Sequence, residues 1–380
     1  MKIVVLGAGR MGYGAVFDLA RNSAVDEIGV ADIDADRVGE VAAIDSARIR
    51  PYSLDVNDKQ AVVKLLAAYD AAISCVVYEY NVRLAEAAIE ARTHFCDLGG
   101  NNEVVGKELA LDPQAREAGI NIIPDCGLAP GMVSLLAVHG ANRLDRAESI
   151  HIRVGGLPQK PRPPLDYQMV FSVEGLINEY IEPARLIRDG VITHVKSMTE
   201  LEYLEFPSPY GQLEAFQTSG GTSTLPQSFL GKIRELDYKT IRYPGHCERF
   251  KVMLDLGLAS SEPMDIRGTK VTPRHLFGKL LVEHLPHDEP DVVLVRLDFA
   301  GQKDGREVTL RYQIVDEYDQ QNGISAMMRT TAFPASIVAQ MMARGEASRP
   351  GALPQEACLP PDRFMEELAR RNIRVEQSFV

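Results

Sequence analysis

Lys2-Ile3-Val4-Val5-Leu6 runs without interruption into Gly7-Ala8-Gly9-Arg10-Met11-Gly12. The first five residues are a short, β-branched, apolar run suited to a buried strand. Beyond Gly12 the apolar positions Ala15, Val16, Leu19 and Ala20 follow helical spacing. A glycine-x-glycine-x-x-glycine stretch says little alone, but between a strand and a helix it describes a dinucleotide-binding turn. Gly7 makes the tight turn, Gly9 lets a pyrophosphate approach the backbone, and Gly12 lets the helix pack close on the strand. Arg10 and Met11 lie between them, at a helix start whose N–H groups face the phosphate charge.

The next strand points to which dinucleotide. Glu27-Ile28-Gly29-Val30-Ala31 ends in Asp32, where a carboxylate accepts from ribose hydroxyls. A 2′-phosphate would meet that carboxylate as a like charge, and two such charges 4 Å apart repel by about 4 kcal/mol at an effective dielectric near 20. NAD is therefore the expected cofactor, although Arg37 nearby leaves a case for NADP and Asp32 could be a plain helix cap.

With 380 residues, two domains are expected. The net charge of −12 and the absence of a basic run exclude a phosphate-backbone partner, so no nucleic acid is expected. No apolar segment approaches the 18 or so residues of a membrane helix, and the N-terminus does not read as a signal peptide. Cys75, Cys96, Cys126, Cys247 and Cys358 are scattered, odd in number and without CxxC spacing, which suits reduced thiols in the cytoplasm. His94, His139 and His151 are too dispersed for a helical ligand pair, so no metal site is expected.

Strand and helix patterns alternate up to Asn121-Ile122-Ile123-Pro124-Asp125, with single helices expected near 34–44, 58–68, 80–91 and 103–118. This predicts an α/β, Rossmann-type doubly wound parallel sheet. Gly127-Leu128-Ala129-Pro130-Gly131 then breaks the pattern before a helix over 132–144. Beyond it lies an α+β substrate and dimerisation domain: a strand over 149–154, a hairpin of 291–299 with 307–315 around Lys303-Asp304-Gly305, and a third antiparallel strand over 324–331. A helix over 332–343 is expected to pack back on the first domain. A tail helix over 362–371, N-capped near Pro361-Asp362, is expected to cover a sheet edge. The nucleotide domain would then comprise 1–125 plus 331–380, and the substrate domain 126–330.

Ligands of an open parallel sheet bind beyond the carboxyl ends of its strands. Ser74 and Tyr78 follow the fourth strand, Asp97 the fifth and Asp125 the sixth. Ser74 is a candidate coenzyme contact and Tyr78 a candidate substrate contact. Asp97 and Asp125 are candidates for the cation partner and general base, set against simple capping roles. In the second domain Arg242 is a candidate carboxylate clamp, because a planar guanidinium binds bidentately. Ser219, in the Thr218–Ser223 loop, is a second substrate contact unless that loop is an exposed turn. His246 is a candidate proton carrier, with a structural role as the alternative. Glu174, near Ser172, suits a helix dipole partner.

The chain resembles the saccharopine dehydrogenase-like group, within it most closely lysine 6-dehydrogenase. The resemblance rests on Val4-Val5-Leu6-Gly7-Ala8-Gly9, Asp97-Leu98-Gly99-Gly100 and Asp125-Cys126-Gly127-Leu128-Ala129-Pro130-Gly131. It also rests on Val154-Gly155-Gly156-Leu157-Pro158 through Pro163-Pro164-Leu165, and on Thr240-Ile241-Arg242-Tyr243-Pro244-Gly245-His246. Saccharopine-forming reductases typically carry an aspartate in the Gly-Leu-x-Pro-Gly element, where this chain has Ala129. The resemblance implies NAD-dependent oxidative deamination of the L-lysine side-chain amine to 2-aminoadipate 6-semialdehyde, which cyclises, with release of ammonia. It implies a small basic amino-acid substrate and lysine degradation. A homo-oligomer, such as a homodimer, is expected separately, since the second-domain sheet could pair across a two-fold axis. Arg242 would hold the α-carboxylate, and Asp97 or Asp125 the amine and its proton. The alternatives are a saccharopine- or carboxynorspermidine-forming reductase and a non-catalytic NAD-binding protein.

Overall fold

The opening apolar run forms strand β1 (Lys2–Leu6), whose Ile3, Val4, Val5 and Leu6 are fully buried. Around it, a computed structural model describes residues 1–22, 24–170 and 172–380. The chain divides into two units. The first comprises Met1–Arg143, Ser223–Ser228 and Met328–Arg374; the second comprises Leu144–Thr222, Phe229–Met327 and Val375–Val380.

In the first unit β1 is joined by β2 (Glu27–Asp32), β3 (Ile49–Ser53), β4 (Ala71–Ser74), β5 (His94–Asp97), β6 (Asn121–Ile123) and β17 (Gly351–Ala352). They form a seven-stranded sheet in the order β17-β6-β5-β4-β1-β2-β3. Its registers are parallel throughout, as alternating strands and helices require. The strand order reverses at β1 and β4, so the ligand crevice of such a sheet opens beyond their carboxyl ends. Gly7 follows β1 there, Asp32 ends β2, Ser74 ends β4 and Asp97 ends β5.

The helix Ala326–Ala343 corrects the expected strand over 324–331. Asp291 explains the difference, because its carboxylate accepts from the backbone N–H groups of Ala326 (2.7 Å) and Met327 (2.9 Å). A distant acid thus supplies the N-terminal cap, and no local pattern announces it. Further along this helix, the Phe333 ring stacks on Phe17 at 6.3 Å, and Ser336 donates to Asp18 at 2.6 Å. Asp18 also receives the buried guanidinium of Arg371, whose Nε lies 2.7 Å from Oδ1. Arg371 Nη1 donates to the Glu367 carboxylate at 2.7 Å. This buried ion cluster ties the C-terminal segment to the glycine-turn helix Arg10–Asn22.

Other expectations shift by smaller amounts. The single helix over 103–118 is two, Asn102–Leu109 and Asp112–Ala118, the second carrying proline in its first turn, where proline's missing N–H costs nothing. The tail helix Pro361–Arg370 starts after Pro360, with no side-chain cap. The last residues pair with the second unit rather than the first, as an edge strand there.

That second unit holds β7 (Arg146–Pro158), β8 (Ala184–Arg188), β9 (Val191–Val195), β10 (Glu202–Phe206), β11 (Gly211–Gln217) and β12 (Glu235–Arg242). A small hairpin, β13 (Met264–Ile266) with β14 (Thr269–Val271), stands apart from its main sheet. Completing the main sheet are β15 (Asp291–Lys303), β16 (Arg306–Glu317) and the tail strand β18 (Glu376–Phe379). The main order is β10-β11-β12-β7-β15-β16-β18, with β8 paired to β12 and β9 to β8. β7 and β12 run parallel while β15 and β16 form the expected hairpin, turning at Asp304 (φ 50°) and Gly305 (φ 72°). Two successive positive φ values are what a two-residue turn of matching twist needs. No described helix is long and apolar enough to cross a membrane.

Candidate active site

The glycine turn has the geometry its spacing predicts. At Gly7 (φ 100°) a Cβ would lie 2.9 Å from the Cys75 carbonyl, and at Gly12 it would lie 1.8 Å from the Gly7 carbonyl oxygen. Nothing stands within 4 Å of a Cβ at Gly9, so that side of the turn is open. Arg10 and Met11 begin the helix, and the first turn of any helix leaves N–H groups without intrahelical acceptors. Asp32 accepts from Ala8 N at 2.7 Å and from Asp34 N at 2.9 Å, which fixes its carboxylate beside the turn. Each oxygen keeps a further lone pair for a hydroxyl. These residues fit a dinucleotide. Gly12→Ala is expected to drive the helix off the turn, costing about 1–3 kcal/mol and most coenzyme affinity. Titration of NADH fluorescence together with a melting curve checks this, and unchanged affinity would overturn the cradle.

Ser74 is buried and donates to Asn81 Oδ1 at 2.8 Å, pinning the turn after β4 to the next helix. Tyr78 starts the single turn Tyr78–Tyr80 and is half-buried, its ring lying where a Cβ on Gly100 would come within 3.0 Å.

Asp97 and Asp125 come together in a buried carboxyl cluster with a third member. Asp97 Oδ1 accepts from Gly99 N at 2.6 Å and from Asp125 N at 3.3 Å. Asp125 has φ 62°, its carboxylate accepts from Ser223, and its carbonyl accepts from Gln355. A side chain at Gly99 (φ 75°) would meet Asp125 Oδ1 at 2.0 Å, so glycine there is what lets the two acids approach. The third member is Glu108, fully buried on the helix Asn102–Leu109, whose carboxyl faces Asp97. Among the described residues, Asp97 Oδ2 and both Glu108 oxygens have no hydrogen-bond partner other than each other. Burial, then the Asp97 charge, pushes Glu108 upward, so it holds a proton at neutral pH and donates it to Asp97. Burial also raises Asp97. Asp125 is pushed up to about 8, by burial first and then by the Asp97 charge, with the Ser223 hydrogen bond opposing. Glu356 adds negative charge close by and is held at 2.7 Å by the hydroxyls of both Thr224 and Ser228.

The second unit assembles the other candidates. Arg242 closes β12 with its guanidinium over the Tyr167 ring, 4.7 Å from the centroid. Its Nε donates to Tyr180 Oη at 2.8 Å and its Nη1 to the Ile241 carbonyl at 2.8 Å. Tyr180 Oη lies 3.1 Å from His246 Nε2, and His246 Nδ1 lies 3.0 Å from the Leu165 carbonyl. A carbonyl only accepts, so Nδ1 carries the ring proton and Nε2 accepts from the tyrosine. His246 is fully buried, and burial followed by the Arg242 charge lowers it to about 3. This neutral ring fixes the direction of the Arg242–Tyr180 hydrogen bond, a geometry at odds with the proton-carrier role. The Thr218–Ser223 loop is not an exposed turn. Ser219 is buried, its N–H bonded to the Glu179 carbonyl (3.0 Å) and its hydroxyl to the Asn178 carbonyl (3.3 Å). Glu174 pairs with Arg274 at 2.6 Å.

Glu108, Gln355 and Glu356 escaped the sequence reading, as did Tyr167, Glu179 and Tyr180, while Ser223 entered it only as the end of the Thr218–Ser223 loop. Glu108 had one signal, since it shares a helical face with buried Val105 three residues earlier.

The chain matches two family models, "Saccharopine dehydrogenase NADP binding domain" over residues 3–123 and "Saccharopine dehydrogenase C-terminal domain" over residues 127–373. It is 23% identical to the saccharopine dehydrogenase (NADP+, L-glutamate-forming) of Saccharomyces cerevisiae, over 97% of this chain and 96% of that one. The enzyme of the same description from Pyricularia oryzae is 26% identical over 67% of this chain, which spans about half of that relative (54%). The carboxynorspermidine synthase of Vibrio cholerae is 22% identical over 97% of this chain and 94% of its own. Among solved structures, apo saccharopine dehydrogenase (L-Glu forming) from Saccharomyces cerevisiae superposes with a TM-score of 0.81. At 22% identity it covers 100% of this chain and 99% of that one, a likeness of fold. With both halves of one family's architecture matched in order along its length, the chain belongs to the saccharopine dehydrogenase family of oxidoreductases.

Proposed function

We propose that the protein is an NAD-dependent lysine 6-dehydrogenase, converting the side-chain amine of L-lysine, with NAD and water, to the semialdehyde, ammonia and NADH. The observation that carries this reading is Asp125, a buried carboxyl raised to about 8 at the end of a parallel strand. A free lysine amine has a pKa near 10.4, so at pH 7 only about one molecule in 2,500 is neutral. Neutralising it costs about 4.6 kcal/mol unless a base takes the proton. A carboxyl near 8 is far better matched to that transfer than an ordinary aspartate. A bound nicotinamide dinucleotide supplies the hydride acceptor in this chemistry. Gly7, Gly9, Gly12 and Asp32 would hold it, and the Asp32 carboxylate favours NAD over NADP.

The protein's own groups then divide the work. Asp125 accepts the ammonium proton, while Asp97, with Glu108 behind it, keeps negative charge beside the amine. Arg242 binds the α-carboxylate, since Nε and one Nη1 N–H are used internally and the outer edge of the fork is left over. His246 positions Arg242 through Tyr180. Ala129, in place of the aspartate typical of saccharopine-forming reductases, supports the lysine reading.

Purified protein is expected to form NADH with L-lysine, and more slowly with L-ornithine or cadaverine. Its kcat/KM should rise about tenfold per pH unit from pH 6 and level off above about 8. A flat profile from pH 6 to 9 would remove Asp125 as base. Turnover of saccharopine with NADP in place of L-lysine would give this chain the activity named for its relatives.

A further inference from the structure

The second unit contains three polar groups that find no hydrogen-bond partner among the described residues. The first is the outer edge of the Arg242 guanidinium. The second is Tyr167 Oη, which is buried without any hydrogen-bond partner among the described residues, on a side chain only 1% exposed. The third is the Glu179 carboxylate. It feels the Arg242 charge, yet forms no ion pair or side-chain hydrogen bond with any described residue. A tyrosine hydroxyl buried without a partner costs free energy comparable to a lost hydrogen bond, and a half-buried carboxylate without a partner adds to that cost. A fold retains such groups together where a ligand satisfies them.

Their placement is rigid. Glu179 and Tyr180 are neighbours on the helix Val173–Ile181, so the acid rides on the residue that anchors Arg242. The Glu179 carbonyl is tied to Ser219 N. Arg242 is held by Tyr180, and Tyr180 by His246. The helix carrying His246 is itself capped by Glu214, whose carboxylate accepts from Gly245 N (2.7 Å) and Cys247 N (2.6 Å). Glu179 is half-buried, and that burial, opposed by Arg242, raises it to about 7.

We infer that Arg242, Tyr167 and Glu179 form a receptor for the zwitterionic head of an α-amino acid. Arg242 and the Tyr167 hydroxyl take the α-carboxylate, and Glu179 takes the α-ammonium. An ammonium beside Glu179 supplies the direct ionic partner it does not have among the described residues, and a carboxylate on Arg242 does the same for the outer edge of the guanidinium. A simple diamine offers no carboxylate, and an ω-amino acid without an α-amine leaves Glu179 uncompensated. The site therefore selects α-amino acids by leaving the wrong ligand with an unpaired buried charge. This deepens the proposed function and rests on it for the identity of the side chain, but not for the head group.

The test compares L-lysine with 6-aminohexanoate (no α-amine) and cadaverine (no α-carboxylate) in wild type, Glu179→Gln and Tyr167→Phe, by steady-state rates and calorimetry. Wild type is expected to favour L-lysine over 6-aminohexanoate by about 10²-fold or more in kcat/KM. Glu179→Gln should collapse that ratio about 10²-fold, chiefly through KM for L-lysine, while Tyr167→Phe narrows the preference over cadaverine. An unchanged L-lysine to 6-aminohexanoate ratio in Glu179→Gln would overturn the assignment. If wild type oxidises none of these amines, the proposed function fails separately, and calorimetry with L-lysine and saccharopine still decides the receptor. Binding weakened by Glu179→Gln sustains it; binding unchanged, or none by either ligand, overturns it.

Discussion

Asp125→Asn is expected to lower kcat for lysine oxidation by about 10²- to 10⁴-fold at pH 7.5 while leaving the protein folded. Asparagine is the best available replacement, because Asp125 has φ 62° and asparagine is among the few residues that occupy the left-handed region readily. Its amide also keeps an oxygen for the Ser223 hydroxyl. Folding should not suffer at alkaline pH either. The folded-state pKa of Asp125 is raised, so its favourable contribution is fully present below the unfolded value near 4. That contribution is lost as pH climbs through about 8. Asparagine removes this alkaline loss.

The pH profile separates a lost base from a disturbed site. Wild-type kcat/KM should level off above about pH 8, where Asp125 has lost its proton. The variant can use only amine that arrives neutral, so its kcat/KM should keep rising toward the substrate pKa near 10.4. The deficit would hold constant up to about pH 8 and shrink steadily above it. A variant equally impaired at pH 7 and pH 10 would show that Asp125 orients the site without accepting a proton.

Arg371→Leu is expected to be the most damaging single change to stability, at about 3–5 kcal/mol. The guanidinium is fully buried between Asp18 and Glu367, and its removal leaves carboxylate charge in the core without that partner. Breaking one side of a buried pair costs more than the pair contributes, because the surviving charge stays desolvated. Replacing Asp18 as well, in Asp18→Leu/Arg371→Leu, should recover part of the loss. Urea unfolding of both variants checks this, and a loss under 1 kcal/mol for Arg371→Leu would show that water reaches the cluster.

Much of the first unit was legible from residue order. A β-branched run before Gly7 gives a buried strand, and Gly12 must be glycine because any Cβ would strike the Gly7 carbonyl. The Asp304-Gly305 turn likewise announced its hairpin. The strand expected over 324–331 failed for an instructive reason. Ile324 to Thr331 is apolar and β-branched enough for either structure, and the choice was made by Asp291, dozens of residues away, capping the helix. The bonding of His246 was hidden in the same way, since nothing beside it in the chain reveals that Tyr180 and Leu165 occupy both ring nitrogens.

Residue order by itself therefore determined the parallel sheet, the glycine cradle and the acids at the strand ends, because those depend on sterics and periodicity among near neighbours. Only the tertiary structure decided the chemistry of those acids. Asp97, Glu108 and Asp125 are ordinary carboxylates wherever water reaches them, and burial beside one another is what raises them. Arg242, Tyr167 and Glu179 come from separate elements, and only folding brings them together as the proposed receptor.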